Sequence, residues 1–332
     1  MRTLLANKPF QYVLVGLVIA LLPSIFSFER SLLTTLNMIV VYAIVAIGFN
    51  ILLGYAGQIS LGHAAFMGLG AYVSAYVTSN LELPFLLSLV VSGFIPMVIG
   101  LLLGLVALRL EGHYLAIATL GFGIAIQQVF KEWIGFTNGF SGMRADYPML
   151  FSFEFKDREH FFILAIAILV LLAIFAHNFL QSKTGRAFIA MRDSEHAAQA
   201  MGVSLFKYKL IAFAISAFYA GVAGSLYIHL IRYTEPNQWG IDLSLNLLAM
   251  VVIGGLASVP GSIIGAAFIV LVPEITKDIG FLEGIKNVSY IITGLSLVLV
   301  IMFFPYGLAR IWAQLKATIF MKKENKSSNI QA

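Results

Sequence analysis

GYAGQISLGHAAFMGLGAY, residues 54–72, holds five glycines, a glutamine, a serine and a histidine. It nevertheless lies inside the longest stretch of the chain without Asp, Glu, Lys or Arg, residues 31–81. As one helix that stretch would run about 76 Å at ~1.5 Å per residue, against a hydrocarbon core of roughly 30 Å. The chain therefore has to turn round inside it, and Gly54, Gly57 and Gly62 mark the place. The other uncharged windows, 9–28, 83–108, 112–130, 160–182, 210–231, 243–273 and 287–309, are each long enough for the ~20-residue helix that crosses a bilayer.

Composition agrees: 60% of the residues are hydrophobic and 11% charged, against roughly 25% charged in soluble domains. The period-2 alternation of barrel strands is absent, so the spans must be helices, which satisfy their backbone groups internally. Window 243–273 exceeds one span and is tight for two. Its middle, IGGLASVPGSIIG (253–265), breaks at Gly254, Gly255, Pro260 and Gly261 and reads as a hairpin, complete or re-entrant. The expected fold is an all-α integral membrane protein, a polytopic bundle of about ten transmembrane or re-entrant helices. Lys and Arg are more frequent on the side of both termini, near 54–60, 109–112, 181–209 and 256–262, which places that side in the cytoplasm. MRTLLANK and the apolar run after it are read as a retained first helix, because the run is span-length and no A-x-A-like site follows. The excess of positive charge has this topological origin and does not point to nucleic acid.

Transport coupled to protons or sodium usually leaves charged groups within the spans. Here Glu82, Glu111, Glu132, Asp242 and Glu274 all fall at expected helix ends or loops. The chain has no G-x-x-x-x-G-K-[ST] either, so ATP, if it drives the process, binds another polypeptide. The longest inner loop, 181–209, is then the candidate contact. Within it Asp193 is a plausible N-cap, Glu195 lies in the first helical turn and Gly202 supplies the C′ stop. Glu195, His196 and Gln199 fall on one side, and Ala197, Ala198 and Met201 on another. An ordinary amphipathic helix resting on the headgroups would show the same pattern.

RDSEHAAQAMGVSLFKYKLIAFAISAFYAGVAGSLY (192–227) resembles the coupling segment of permeases of branched-chain amino acid ABC importers, the LivM type. E-H-A-A-x-x-x-G (195–202) is similar to the wider importer motif E-A-A-x-x-x-G, with His196 in place of the first alanine. GYAGQISLGHAAFMGLGAY (54–72), LRLEGHYLAIATLGFG (108–123) and GGLASVPGSIIGAAF (254–268) are similar to the same family, so the resemblance runs from about residue 30 to 309. It implies a permease domain over 1–309, with an outer loop at 133–160, and a polar cytoplasmic tail at 310–332, expected to be disordered. It implies an inner-membrane location and a coupling helix formed by Arg192, Asp193, Glu195, His196, Ala197, Ala198 and Gly202. It also implies a second homologous permease, two ABC ATPase subunits and a periplasmic solute-binding protein as partners. The chain itself is then no enzyme and needs no cofactor or metal.

GQISLGHAAF (57–66) and PGSIIGAAF (260–268) interrupt the two halves in similar ways, and paired interruptions point to a transport site. Gly57, Gln58, Ser60, Gly62 and His63, with Gly255, Ser258, Pro260 and Gly261, are the candidate lining of the path or its inner gate. The structural alternative is that small residues at four-residue spacing let helices approach and that polar side chains bridge them. A carrier of urea, short amides or another amino acid would use the same machinery. A passive channel is a more distant alternative. An intramembrane enzyme would need convergent nucleophilic, acid/base or metal groups, and H-E-x-x-H, G-x-S-x-G and paired carboxylates are all absent.

Overall fold

The computed structural model describes residues 8–26, 28–107, 110, 112–150 and 153–277, with isolated positions between 292 and 309. The tail 310–332 and most of window 287–309 lie outside these residues. Helix α1 (Lys8–Phe26) leads into α2 (Arg30–Asn50), whose end widens into one π-turn, Ile51–Tyr55. The chain returns through α3 (His63–Ser79) and continues as α4 (Phe85–Ala107) and α5 (His113–Glu132). Next come α6 (Arg158–Gln181), two surface helices, α7 (Lys183–Asp193) and α8 (Glu195–Ala200), and then α9 (Leu205–Ile231). A hairpin of α10 (Ile241–Gly254) and α11 (Val259–Lys277) follows.

Window 31–81 thus turns where the glycines indicate. Among the described residues, six helices are long and apolar enough to cross a membrane. They are accompanied by α3 (17 residues) and by the hairpin, whose α10 has 14 residues and measures about 21 Å.

The bundle is organised around α9, which packs on α4, α3 and α2. Close approach, not bulk, sets this packing, since lipid tails are as apolar as Leu and helices associate by tight contact. A Cβ on Gly70 would land on the backbone of Gly221, one on Gly221 on the Ser92 carbonyl oxygen, and one on Gly224 on the Met67 carbonyl oxygen. Along α4, Gly93, Gly100 and Gly104 receive Phe218, Ala217 and Leu210 of α9. Elsewhere α4 exposes Leu86, Val90, Phe94, Val98, Leu102 and Leu105, large apolar side chains suited to lipid.

Polar groups inside such a bundle must find one another. Ser74 Oγ lies 2.7 Å from Ser88 Oγ, 2.8 Å from Ser225 Oγ and 3.0 Å from His229 Nε2. His229 Nδ1 lies 2.8 Å from the Asp146 carbonyl oxygen, so Nδ1 donates there and Nε2 is left to accept from Ser74.

At that end the connection after α5 forms β1 (Met143–Arg144), β2 (Met149–Leu150) and β3 (Phe153–Glu154), and β4 (Tyr233–Thr234) follows α9. β1 pairs with β4 antiparallel, Met143 opposite Thr234, and β2 pairs with β3. The Arg232 guanidinium sits 3.9 Å from the centre of the Tyr147 ring. The loop ends at Asp157, slightly before 160, because Arg158 already begins α6.

Candidate functional site

At the other end, four pieces of chain meet: the end of α2, the start of α3, the surface pair α7–α8, and the turn between α10 and α11. The segment 56–62 between the π-turn and α3 is irregular, yet most of it is buried. Gly57 takes φ +72 and lies against the Cα, Cβ and Cγ of Arg192, so both its conformation and its lack of a side chain are used. Gly62 lies against the Thr119 carbonyl and Gly123 of α5. One group of the irregular stretch and two of the first turn of α3 find side chains on other helices. Leu61 N–H donates to Thr119 Oγ1 at 3.0 Å, Ala64 N–H to Ser244 Oγ at 3.1 Å, and His63 Nε2 shares a hydrogen bond with Ser216 Oγ at 3.1 Å. The His63 ring stacks on Phe49, 4.4 Å between centres.

Other polar atoms there have no partner among the described residues. Gln58 Oε1, Ser60 Oγ and His63 Nδ1 are buried and unbonded among the described residues. Buried polar atoms of this kind are rare, because each carries a desolvation cost of about 1–3 kcal/mol unless water or a ligand meets it.

Four of the residues singled out in the second break behave differently from one another. Gly255 (φ 120) and Ala257 (φ 57) form the turn itself, Ser258 Oγ accepts from Gly261 N–H, and Ser258 O accepts from Asn50 Nδ2. Pro260 does not break a helix: it stands in the first turn of α11, where its missing N–H costs nothing. Gly261 also belongs to α11, and with Gly254 and Gly265 it lets the two arms of the hairpin touch backbone to backbone.

The residue that joins both breaks is Asn50. Its Nδ2 reaches Gly255 O (3.1 Å), Ser258 O (3.1 Å) and Ser262 Oγ (2.8 Å), and its Oδ1 accepts from Ala257 N–H (2.9 Å). One polar residue closing an apolar run is a weak signal, and only the fold reveals its partners.

The surface pair corrects the reading of loop 181–209 in three respects. Asp193 is not the N-cap: it ends α7, and Ser194, extended at φ −163, caps α8 by accepting from Ala197 N–H. Asp193 instead accepts from Arg192 Nε and Nη2 at 3.0 and 2.8 Å, while Arg192 Nη1 donates to the Gly54 carbonyl at 3.0 Å. Glu195 does not face outward, because its carboxylate meets the buried Lys209 Nζ at 2.7 Å. Ala198 is buried against the chain's own body, which leaves His196, Ala197, Gln199 and Met201 outward.

Gly202 does close the helix as expected. Val203 N–H returns to Ala198 O and Gly202 N–H to Gln199 O, the Schellman pattern, with Gly202 at φ +82. A Cβ there would touch nothing within 4 Å, so the glycine answers to its conformation alone. Gly202→Ala is therefore expected to cost only about 1–2 kcal/mol and Gly202→Asn less, measured by thermal unfolding of the purified chain.

Residues 31–301 match the family described as branched-chain amino acid transport system / permease component. The chain is similar to the high-affinity branched-chain amino acid transport system permease protein LivM of Salmonella typhimurium, 32% identical over 307 residues, 85% of this chain and 71% of that protein. It is also similar to the LivH permease protein of the same system in the same organism, 24% identical over 288 residues, 80% of this chain and 90% of LivH. The ribose import permease RbsC of Haemophilus influenzae is 26% identical over 268 residues, 77% of this chain and 80% of that protein. A family match over most of the sequence and an identity of this size over most of both proteins lead to one statement: the chain belongs to the family of branched-chain amino acid transport system permease components.

Proposed function

We propose that this chain is a permease subunit of an ATP-driven importer. With a homologous second permease it forms the path for branched-chain amino acids released by a periplasmic binding protein. The end that carries α7 and α8 faces the cytoplasm, where two separate ATPase subunits dock on the outward face of α8, around His196, Gln199 and Met201. The observation that carries the reading is the set of buried, unpartnered atoms Gln58 Oε1, Ser60 Oγ and His63 Nδ1 in a break tied directly to the surface pair. Among the described residues, Asn37 Oδ1, Tyr72 OH and Ser92 Oγ are unbonded elsewhere in the bundle, so what supports the reading is that three such atoms cluster in one helix break, where a path that takes water and a zwitterion would meet them. Similarity to LivM supports the substrate class, and similarity to LivH of the same system supports a paired permease.

The reading separates cleanly from a purely structural one. Removing an orphaned polar atom should stabilise a protein in which it is only buried. Gln58→Met and Ser60→Ala are expected to unfold no more easily than the wild type, yet to lower leucine uptake by about tenfold, a change of ~1.4 kcal/mol in the barrier. The assay is uptake into proteoliposomes holding both permeases, the ATPases and the loaded binding protein, with ribose as competitor. Unchanged uptake in both variants would remove 57–63 from the path. Uptake by the solitary subunit on a cation gradient would reject the importer reading altogether.

A further inference from the structure

Among the described residues, the side chain of Asn50 bonds only to residues 205 to 212 positions further along the chain. What it holds there is not a relaxed turn. Ala257 carries a Cβ and still sits at φ 57, a conformation kept only when the surroundings impose it. Asn50 supplies that constraint from both sides of its amide, donating to the carbonyls of Gly255 and Ser258 and accepting from the N–H of Ala257 itself. One helical turn later, Gly54 fits against both Asn50 Oδ1 and Ala257 N, where any side chain would collide. The carbonyl of that same Gly54 receives Arg192 from the end of α7. Surface pair, first break and second break are therefore joined without a gap through Arg192, Gly54 and Asn50.

We propose that Asn50 is a positioning residue of transport: it makes the segments 51–62 and 255–258 one rigid gate body that moves with α7 and α8. The proposal rests on the importer reading above and adds to it which parts move together. Without Asn50 the second turn keeps the packing of Gly54 on Ala257 and of its hairpin on α2 but loses its hydrogen bonds to the end of α2, so a displacement entering at Arg192 would reach it incompletely. A residue that merely satisfies backbone groups would contribute to stability and nothing else. The two roles differ in what they do to the ratio of solute moved to ATP consumed.

The test uses the whole importer in proteoliposomes, with leucine uptake and ATP hydrolysis measured together and normalised to assembled complex. Asn50→Leu removes every bond, Asn50→Asp keeps only the acceptor for Ala257 N–H, and Ser262→Ala removes one partner. Uptake per ATP is expected to fall at least about tenfold in Asn50→Leu, by an intermediate factor in Asn50→Asp, and about twofold in Ser262→Ala, with hydrolysis stimulated by the binding protein retained. If Asn50→Leu does not assemble, the order of the other two decides in the same way. A wild-type ratio in Asn50→Leu, or uptake and hydrolysis falling in equal proportion in all variants, overturns the proposal while the importer reading stands. Absence of ATP-dependent leucine uptake in the wild type overturns both.

Discussion

Gly221→Val is expected to keep the chain from accumulating as a folded membrane protein. Gly221 is enclosed on two sides by main chain, with the Ser92 carbonyl oxygen of α4 where its Cβ would go and Gly70 of α3 against its own backbone. Neither neighbour is the end of a flexible side chain, so room can be made only by moving a helix. Overpacking of a tight core typically costs 1–3 kcal/mol, and a backbone obstacle at Ser92 with Gly70 blocking retreat places this site at about 3 kcal/mol. Gly121 of α5 provides the control, because a Cβ there meets nothing within 4 Å. The amount of monodisperse protein extracted in mild detergent, with its thermal midpoint, should fall sharply for Gly221→Val and stay unchanged for Gly121→Val. Equal yields would mean that the α3–α4–α9 contact is looser than described.

Glu195→Arg should be nearly as damaging, for a reason that the sequence pattern did not contain. The motif invites the view that Glu195 meets the ATPase, but its carboxylate is engaged by Lys209 at the start of α9, whose side chain is 5% exposed. Placing a cation opposite a buried ammonium leaves that charge unpaired, a loss of about 3–5 kcal/mol. The partial exposure of Glu195 puts the expected value at the lower end. The pair Glu195→Leu with Lys209→Met separates the two explanations, since replacing both members of a buried ion pair by apolar groups is often neutral. If Glu195 acts by holding α8 on α9, the double variant recovers stability and most of the coupled uptake. If it acts by touching the ATPase, the double variant folds and stays uncoupled.

Much of the architecture was legible because its causes are local or compositional. Charge-free windows fix the helices, and Gly54, Gly57 and Gly62 fix the reversal, since an apolar run too long for the bilayer has to turn where its backbone is freest. Gly202 was legible for the same reason: a left-handed helix stop is a property of one residue and its immediate neighbours.

What escaped depends on distance or on a choice between near-equivalents. Asp193 and Ser194 are adjacent and both cap helices well, so only the fold, by giving Asp193 to α7, decides in favour of Ser194. Ala197 and Ala198 are likewise adjacent on a helix of six residues, too short for spacing alone to say which one the body of the protein covers. Pro260 reads as a breaker until the start of α11 is known to lie just before it. Asn50 and Lys209 act through residues elsewhere in the chain, and a single polar group at the end of an apolar run does not announce its partner.

The anchoring of α9 has a mechanical corollary. This helix is about 40 Å long, 27 residues at ~1.5 Å each. It is bolted near its first turn by Lys209 to the surface pair and near its last by His229 to the Asp146 main chain, and it is pinched midway between Gly70 and Ser92. A stiff rod held at its waist behaves as a see-saw. Tilting it by about 5° swings tips ~20 Å from the pivot by roughly 1.7 Å in opposite directions. Any force that rocks the tip at the surface pair must therefore shift the β1–β4 ribbon at the far end in the reverse sense, without a separate messenger between them.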